Sequence, residues 1–495
     1  MSMANDVKMD WIDRTLSFIN PRAAYERIAW KQGIRGYDSG SRAGNNSGWV
    51  AINAPAEQMN QGQRDIIRAR SRDLENNADI AEAIIGTFER NVIRTGMHVQ
   101  AKPIGKDGNE DEKLGKTMEK LWERWCRPEN CDITGESTFG EMQGMATRRM
   151  IADGGILFVL SDNPYKNAEI PLILQMREVD EIDSTRFSYG AAGENRIING
   201  IEVNEYNKPV AFWLKTITPD GLILGDSKRI DAERVIYLRK KIRPSQLREV
   251  PKLANTINRV RDVNEYSEAV SIKERVLACL SVFIKKAIPG GGVGRGSNIA
   301  SPKDEKTGYA VKTLSPGLVT ELMPGDDVTS VNPSGQASNA KEFIASQQRL
   351  IAAGQGLSYE AVARDMSEVN YSSARQGLIE DKKTYEMLQE YIKRHLCEKV
   401  WREFITQAVL ADKLNIPDFF TNKEDYLNHD WIAPGSDWID PLKEVKANAE
   451  ALESNQVTLE DICAKSGRDW REVMAQRKKE IDFEKSLEDN NAGKK

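Results

Sequence analysis

The stretch LIEDKKTYEMLQEYIKRHLCEKVWREFITQAVLADKLN, residues 378–415, holds no proline and no glycine. Its apolar positions Leu378, Tyr385, Leu388, Ile392, Leu396, Val400, Phe404 and Ala408 fall three, four or seven apart, the spacing of one face of an α-helix. At ~1.5 Å per residue such a helix is roughly 55 Å long, longer than the body of a small domain. A rod of that length buries its stripe only where neighbours lie along all of it.

Working outward, a second stripe, with Ile257, Val260, Val263, Val270, Ile272, Val276 and Phe283, predicts a helix over residues 253–286, stopped by Pro289 and Gly290 to Gly292. A Gly, Pro and Ser-rich segment with strand-like pieces YAVKTL (309–314) and LVTELM (318–323) comes next. A helix over 339–353 then leads through Gly354 and Gly356 into the polar segment SYEAVARDMSEVNYSSA (358–374). Upstream, helical periodicity over 62–94, broken near Asn76 and Asn77, and over 114–125 gives way to short β-branched segments: GGILFVL (154–160), IPLILQM (170–176), INGIEVNEYNKPVAFWLK (198–215) and RVIYLRK (234–240). Two helical segments are expected after residue 441, the second opened by Ser466 and Asp469 at capping-box spacing. The fold class is α+β, mostly helical, and two long helices with modest aromatic cover point to oligomerisation.

The 495 residues allow about three globular units. Seventy Lys and Arg against 75 Asp and Glu give a net charge of −5, which argues against a tight, static nucleic-acid binder. The apolar run 276–284 is about half of a bilayer-spanning helix, so no membrane span is expected. Asp6, Asp10 and Asp13 stand where a secretory signal would be apolar, and the five cysteines are odd in number, so a cytoplasmic setting with reduced thiols is expected.

Motifs that carry chemistry are sparse. Gly115, Lys116 and Thr117 end like a P-loop, but Glu110 stands where the loop needs glycine and no strand precedes it, so Lys116 reads as a helix-surface residue. The glycines from 290 to 296 with Arg295 follow a helix and read as a turn-forming loop. Cys126 and Cys131 have tolerable zinc spacing, but with three histidines and no second cysteine pair they read as ordinary thiols. Asp180, Glu181 and Asp183 could in principle hold Mg²⁺ in a nuclease; following an apolar strand, they read more simply as a solvated strand end. No catalytic residue, cofactor or metal ligand set is assigned.

Several segments resemble the phage portal proteins of the lambda family. They are R-x-R-x-R-D-L-x-N-N at 68–77, N-V-I-x-T-G at 91–96, V-N-E-Y-x-K-P-V-A at 203–211 and V-I-Y-L-R-K-K-I-R-P-S-Q-L-R-E-V-P at 235–251. The most specific are I-A-A-G-Q-G-L-S-Y-E at 351–360 with V-N-Y-S-S-A-R at 369–375, followed by P-G-S-D-W-I-D-P-L-K at 434–443 and the T-L-E-D-I-C-A-K-S-G-R-D segment from Thr458. The order holds over about residues 60–480; Gln355, Ser358 and the 290–310 segment depart from the family's pattern.

The resemblance implies a non-enzymatic subunit of a ring, typically a dodecamer, at one capsid vertex, through which double-stranded DNA is packaged and ejected. It implies an N-terminal arm (1–60), a wing of mixed helix and sheet (61–252), a first stem helix (253–288), a clip (289–337) and a second stem helix (338–356). A tunnel loop (357–373), a long helix and wing return (374–440) and a helical crown with the C-terminal tail (441–495) complete it. Implied partners are further copies of the chain, DNA in transit, the terminase large subunit, the major capsid or scaffold protein and head-completion or adaptor proteins, with no membrane; the implied setting is the virion, and host cytoplasm during assembly. Twelve copies at −5 each carry about −60, which suits sliding because few sites grip phosphate. Candidate DNA-guiding residues are Lys285, Lys286 and Arg295 at stem and clip, and Arg364, Asn370, Tyr371 and Arg375 around the tunnel loop. The alternative is a Mg²⁺-dependent DNA-processing enzyme of phage origin using Asp180, Glu181 and Asp183; a helical scaffold unrelated to DNA is a third reading.

Overall fold

The computed structural model describes residues 51–279 except 166, 167 and 192, the fragments 283–284 and 320–321, and residues 340–367, 371–435 and 441–492, with four single positions near the N-terminus. Two compact units are distinguished, 1–55 and 56–495, and all the elements named below belong to the second.

Helices α1 (Arg64–Asn77) and α2 (Asp79–Val92) are separated by the single extended residue Ala78, where the sequence predicts a break. A strand, β1 (His98–Ala101), leads to α3 (Glu112–Trp125), opened by Asp111, whose side chain accepts from the amides of Lys113 and Leu114. Helix α4 (Phe139–Ala152), which the hydrophobic pattern alone does not announce, starts at a capping box of Thr138 and Glu141.

The predicted strands then appear, joined by two that the sequence does not announce, at residues 196–198 and 223–231. Strands β2 (Gly155–Asp162), β3 (Leu172–Arg177) and a later strand form an antiparallel sheet with β2 in the centre. Strands β4 (Arg196–Ile198), β5 (Ile201–Val203), β6 (Pro209–Ile217) and β7 (Ile223–Asp231) make a second antiparallel sheet in that order. Asn207, at φ 61°, turns the β5–β6 hairpin where Asn-Lys-Pro predicts one. Strand β8 (Val235–Arg239) returns to pair with β2. Only glycine fits at 154: its φ is +91°, and a Cβ there would lie 2.4 Å from the carbonyl carbon of Val250.

The first predicted long helix is shorter than its pattern. A 3₁₀ turn (Lys252–Asn255) precedes α5 (Ile257–Cys279), and Phe283 and Ile284, expected within the helix, pair in parallel with Thr320 and Glu321. Among the stripe positions whose side chains are described, Ile257, Val260 and Val263 in the first turns are buried and Ile272 is exposed. Helix α6 (Ala340–Gln355) packs along α5, with the rings of Tyr266 and Phe343 4.7 Å apart.

The rod over 378–415 forms, with corrections. It begins as α7 (Tyr371–Ile392), so residues 371–373, expected in a loop, are already helical. One π turn (Lys393–Cys397) joins it to α8 (Glu398–Leu410). Its C-terminal half needs no outside company. Ile392, Leu396, Cys397, Val400, Trp401, Phe404, Ile405 and Ala408 are all fully buried in this chain's own core. There Trp122 of α3 contacts Trp125, Phe139, Trp401, Phe404 and Trp431 at ring distances of 5.0–5.9 Å. The N-terminal half exposes Leu378, Ile379 and Met387, the last at 70%.

Strand β9 (His429–Ile432) pairs antiparallel with β1, a link across more than 300 residues. Among the described residues three helices, not two, come after it: α9 (Pro441–Glu453), α10 (Leu459–Lys465) and α11 (Trp470–Ala492). The capping box belongs to Thr458 and Asp461, while Ser466 donates back to the carbonyl of Cys463 at 2.8 Å. Among the described residues no helix is long and apolar enough to cross a membrane.

Candidate functional site

The chain running from the end of α6 into the first turns of α7 carries four of the seven residues singled out from the sequence. Helix α6 stops at Gly356, φ +74°, whose amide donates to the Ala353 carbonyl while that of Leu357 reaches Ala352, a Schellman-type close. Ser358 then caps one turn of helix (Tyr359–Ala363) by accepting from the Ala361 amide. That turn ends at Arg364, which is exposed and held in the left-handed region at φ 53°. For a residue with a Cβ this conformation costs on the order of 1 kcal/mol, and glycine would avoid it. Position 364 thus holds a long cation where backbone economy favours none.

Tyr371 is the first residue of α7, and Arg375, one turn on, is exposed. Arg375 borders an open groove of ≈ 980 Å³ shared with Arg90, Arg94, Lys382, Lys393 and Trp431. Asn370, Lys285, Lys286 and Arg295 lie outside the described residues.

Two anchorages fix the loop; the sequence marks Gln355 and Ser358 only as departures from the family's pattern and does not single out their partners. The side chain of Gln355, 1% exposed, donates to Thr256 Oγ1 at 2.8 Å and to Asn255 Oδ1 at 3.2 Å, tying the end of α6 to the start of α5. Lys252 completes this junction by donating to the Gln355 carbonyl, with its ammonium 4.7 Å from the centre of the Phe88 ring. Burial, with Lys240 nearby, lowers its pKa to about 8. Asp381 of α7, 2% exposed, accepts from both the amide and the hydroxyl of Ser358 at 2.6 Å each. Its signal was in the sequence: Asp381 stands at stripe spacing between Leu378 and Tyr385, a carboxylate where the pattern calls for an apolar residue.

The acidic group after β3 is not the solvated strand end that the sequence suggests. Asp180 is paired with Arg68 at 3.0 Å and Arg72 at 2.7 Å, and Glu181 with Arg177 at 2.7 Å. Asp183 accepts from Lys215 at 2.8 Å and Thr185 at 2.6 Å; burial pulls its pKa upward, but these bonds outweigh it and hold the carboxyl at about 2. The three carboxylates thus face three different cation sets, and among the described residues no group of three or more His, Cys, Asp or Glu could hold a metal ion. Arg68 reaches further, to Glu249 at 2.8 Å, which also pairs with Arg248 at 2.9 Å. Arg68 and Arg72 of the R-x-R-x-R segment and the R-E-V-P end of the 235–251 segment therefore meet in one charge network.

The remaining motifs are structural. Lys116 is exposed within α3, and a Cβ on Gly115 would lie 2.9 Å from the Ala101 carbonyl oxygen, so that glycine permits close packing of α3 on β1. Cys126 and Cys131 are free thiols pushed upward by burial, Cys131 to about 12.

Similarity to known proteins extends over most of the chain. Residues 42–389 match the family described as phage portal protein, lambda family. The probable portal protein of Halomonas phage phiHAP-1 is 26% identical over 454 residues, covering 88% of this chain and 84% of that protein. Portal protein B of Escherichia phage lambda is 28% identical over 200 residues, 37% of this chain and 38% of that one. Among solved structures, a chain from the virion of a native gene transfer agent particle superposes with a TM-score of 0.40 at 12% identity, covering 82% of this chain and 92% of that chain. One from the neck of the native particle, computed with C12 symmetry, gives 0.39 at 11%, covering 72% and 87%. The chain belongs to the lambda family of phage portal proteins, channel subunits through which phage DNA is packaged and ejected.

Proposed function

We propose that twelve copies form the ring at a capsid vertex, with residues 357–370 as the loop facing DNA, α5 and α6 as the stem and residues 289–337 as the clip that docks the terminase large subunit. The wing contacts the major capsid or scaffold protein, and head-completion proteins dock after packaging. The ring stands at the vertex in the virion and assembles in host cytoplasm. The observation that carries the loop assignment is Arg364: an exposed cation, in a conformation that disfavours side chains, at the end of a turn anchored to the helix behind it. A few exposed cations on a chain of net charge −5 give weak, screened contacts with phosphate, which permit sliding. Lys285, Lys286 and Arg295, with Asn370, Tyr371 and Arg375, are placed by this reading along the same path.

The test is packaging in vitro with rings carrying Arg364→Ala, Tyr371→Ala or Arg375→Ala. Intact rings by electron microscopy with reduced packaging support the assignment; loss of rings, or packaging equal to the unaltered protein, removes it.

A further inference from the structure

We infer that Asp381 is a positioning residue that sets where Arg364 stands in the channel, an inference that rests on the assignment of the loop to DNA. The relay is short. Both oxygens of Asp381 accept from Ser358, the Ser358 hydroxyl oxygen accepts from the Ala361 amide at 3.2 Å, and the turn so capped delivers Arg364 at its end, the Arg364 amide closing on the Glu360 carbonyl at 2.9 Å. From the same face of α7, Thr384 donates to the Gly356 carbonyl at 2.9 Å, so the loop's first residues are registered against one helix.

What singles out Asp381 is its cost. A carboxylate taken out of water is unfavourable unless donors replace the lost hydration, and here the two Ser358 groups are the donors, with Glu360 adding repulsion and no cation contributing among the described residues. An apolar residue at this stripe position would pack without that penalty but would leave the Ser358 amide without its acceptor. The carboxylate thus stabilises the loop's starting point at the expense of the rod that carries it.

The experiment is a double-mutant cycle on assembled rings in a packaging assay. Asp381→Ala, Arg364→Ala and the double variant are compared for packaging rate, with ring melting temperature measured in parallel. The expected result is that Asp381→Ala slows packaging about as much as Arg364→Ala does, and the double variant is no slower than either. Losses that multiply overturn the inference, because a purely structural defect would add to the loss of the cation. Slowing by Arg364→Ala with none from Asp381→Ala also overturns it, and leaves the loop assignment standing. Packaging unaffected by Arg364→Ala removes the loop assignment and this inference with it. Should Asp381→Ala rings fail to assemble, Ser358→Ala, which removes only the hydroxyl of the relay, enters the same cycle with the same expected non-additivity. Asp381→Asn, whose amide can donate to Ser358 Oγ while its carbonyl accepts from the Ser358 amide, is expected to restore the packaging rate.

Discussion

Glu249 is fully buried between two arginines and accepts the hydroxyl of Tyr237. Burial alone would raise its pKa, but Arg248 and Arg68 prevail and hold it at about 2. A carboxylate whose folded pKa lies below its unfolded value near 4.5 adds stability that is present above pH 4.5 and is lost as pH falls toward 2. Glu249→Gln leaves two buried guanidinium groups short of their counter-charge, and the expected destabilisation at pH 6 is about 3–5 kcal/mol. Denaturant titrations at pH 6 and pH 3 check both points: the variant is weaker at pH 6 and loses less on acidification than the unaltered protein. An acid dependence unchanged by the substitution would assign it to other carboxylates. At this scale the sequence was least informative. Asp180 and Glu249 lie far in sequence from Arg68, and nothing local marks which acidic residue a buried arginine will reach.

At the scale of elements, hydrophobic spacing located most helices and strands, because an amphipathic face is written locally. What it could not supply is which half of a stripe is covered by the chain itself. The rod over 378–415 reads as one surface, yet α8 is enclosed by Trp122, Trp125, Phe139 and Trp431, while Leu378, Ile379 and Met387 of α7 remain exposed. Ala340–Gln355 shows the same division, with Ile351 and Ala352 buried and Phe343 and Leu350 exposed. Strand β9 escaped notice because four residues at a sheet edge leave too short a period to read. If the uncovered faces meet further copies, Leu378→Asp with Met387→Asp is expected to yield well-folded monomers in place of rings. Each large apolar side chain so deprived forfeits about 1.5–3 kcal/mol per interface. Light scattering with circular dichroism checks this; rings surviving both substitutions would place the contacts elsewhere.

At the scale of the whole molecule, the order of wing, stem, clip, loop and crown was carried by resemblance, and the residues that touch DNA were not legible, since a channel needs few and weak contacts. Terminase docking belongs to this scale as well. With the clip at 289–337, deletion of residues 290–310 is expected to abolish binding of the terminase large subunit while sparing the ring, as read by pull-down and by particle images; unchanged binding would move the motor to another surface.

The pairing of β1 with β9 ties residues 98–101 to 429–432, and the Gln355–Thr256 junction ties the end of α6 to the start of α5. Any pull carried along α5 and α6 reaches the rest of the chain where α5 begins and α6 ends, at Lys252, Asn255, Thr256 and Gln355. Hydrogen bonds grouped at one point share a load and yield together, so the anchorage behaves as a fuse with a threshold: below it the helix pair and the chain behind it move as one piece, and above it the pair comes away at this junction.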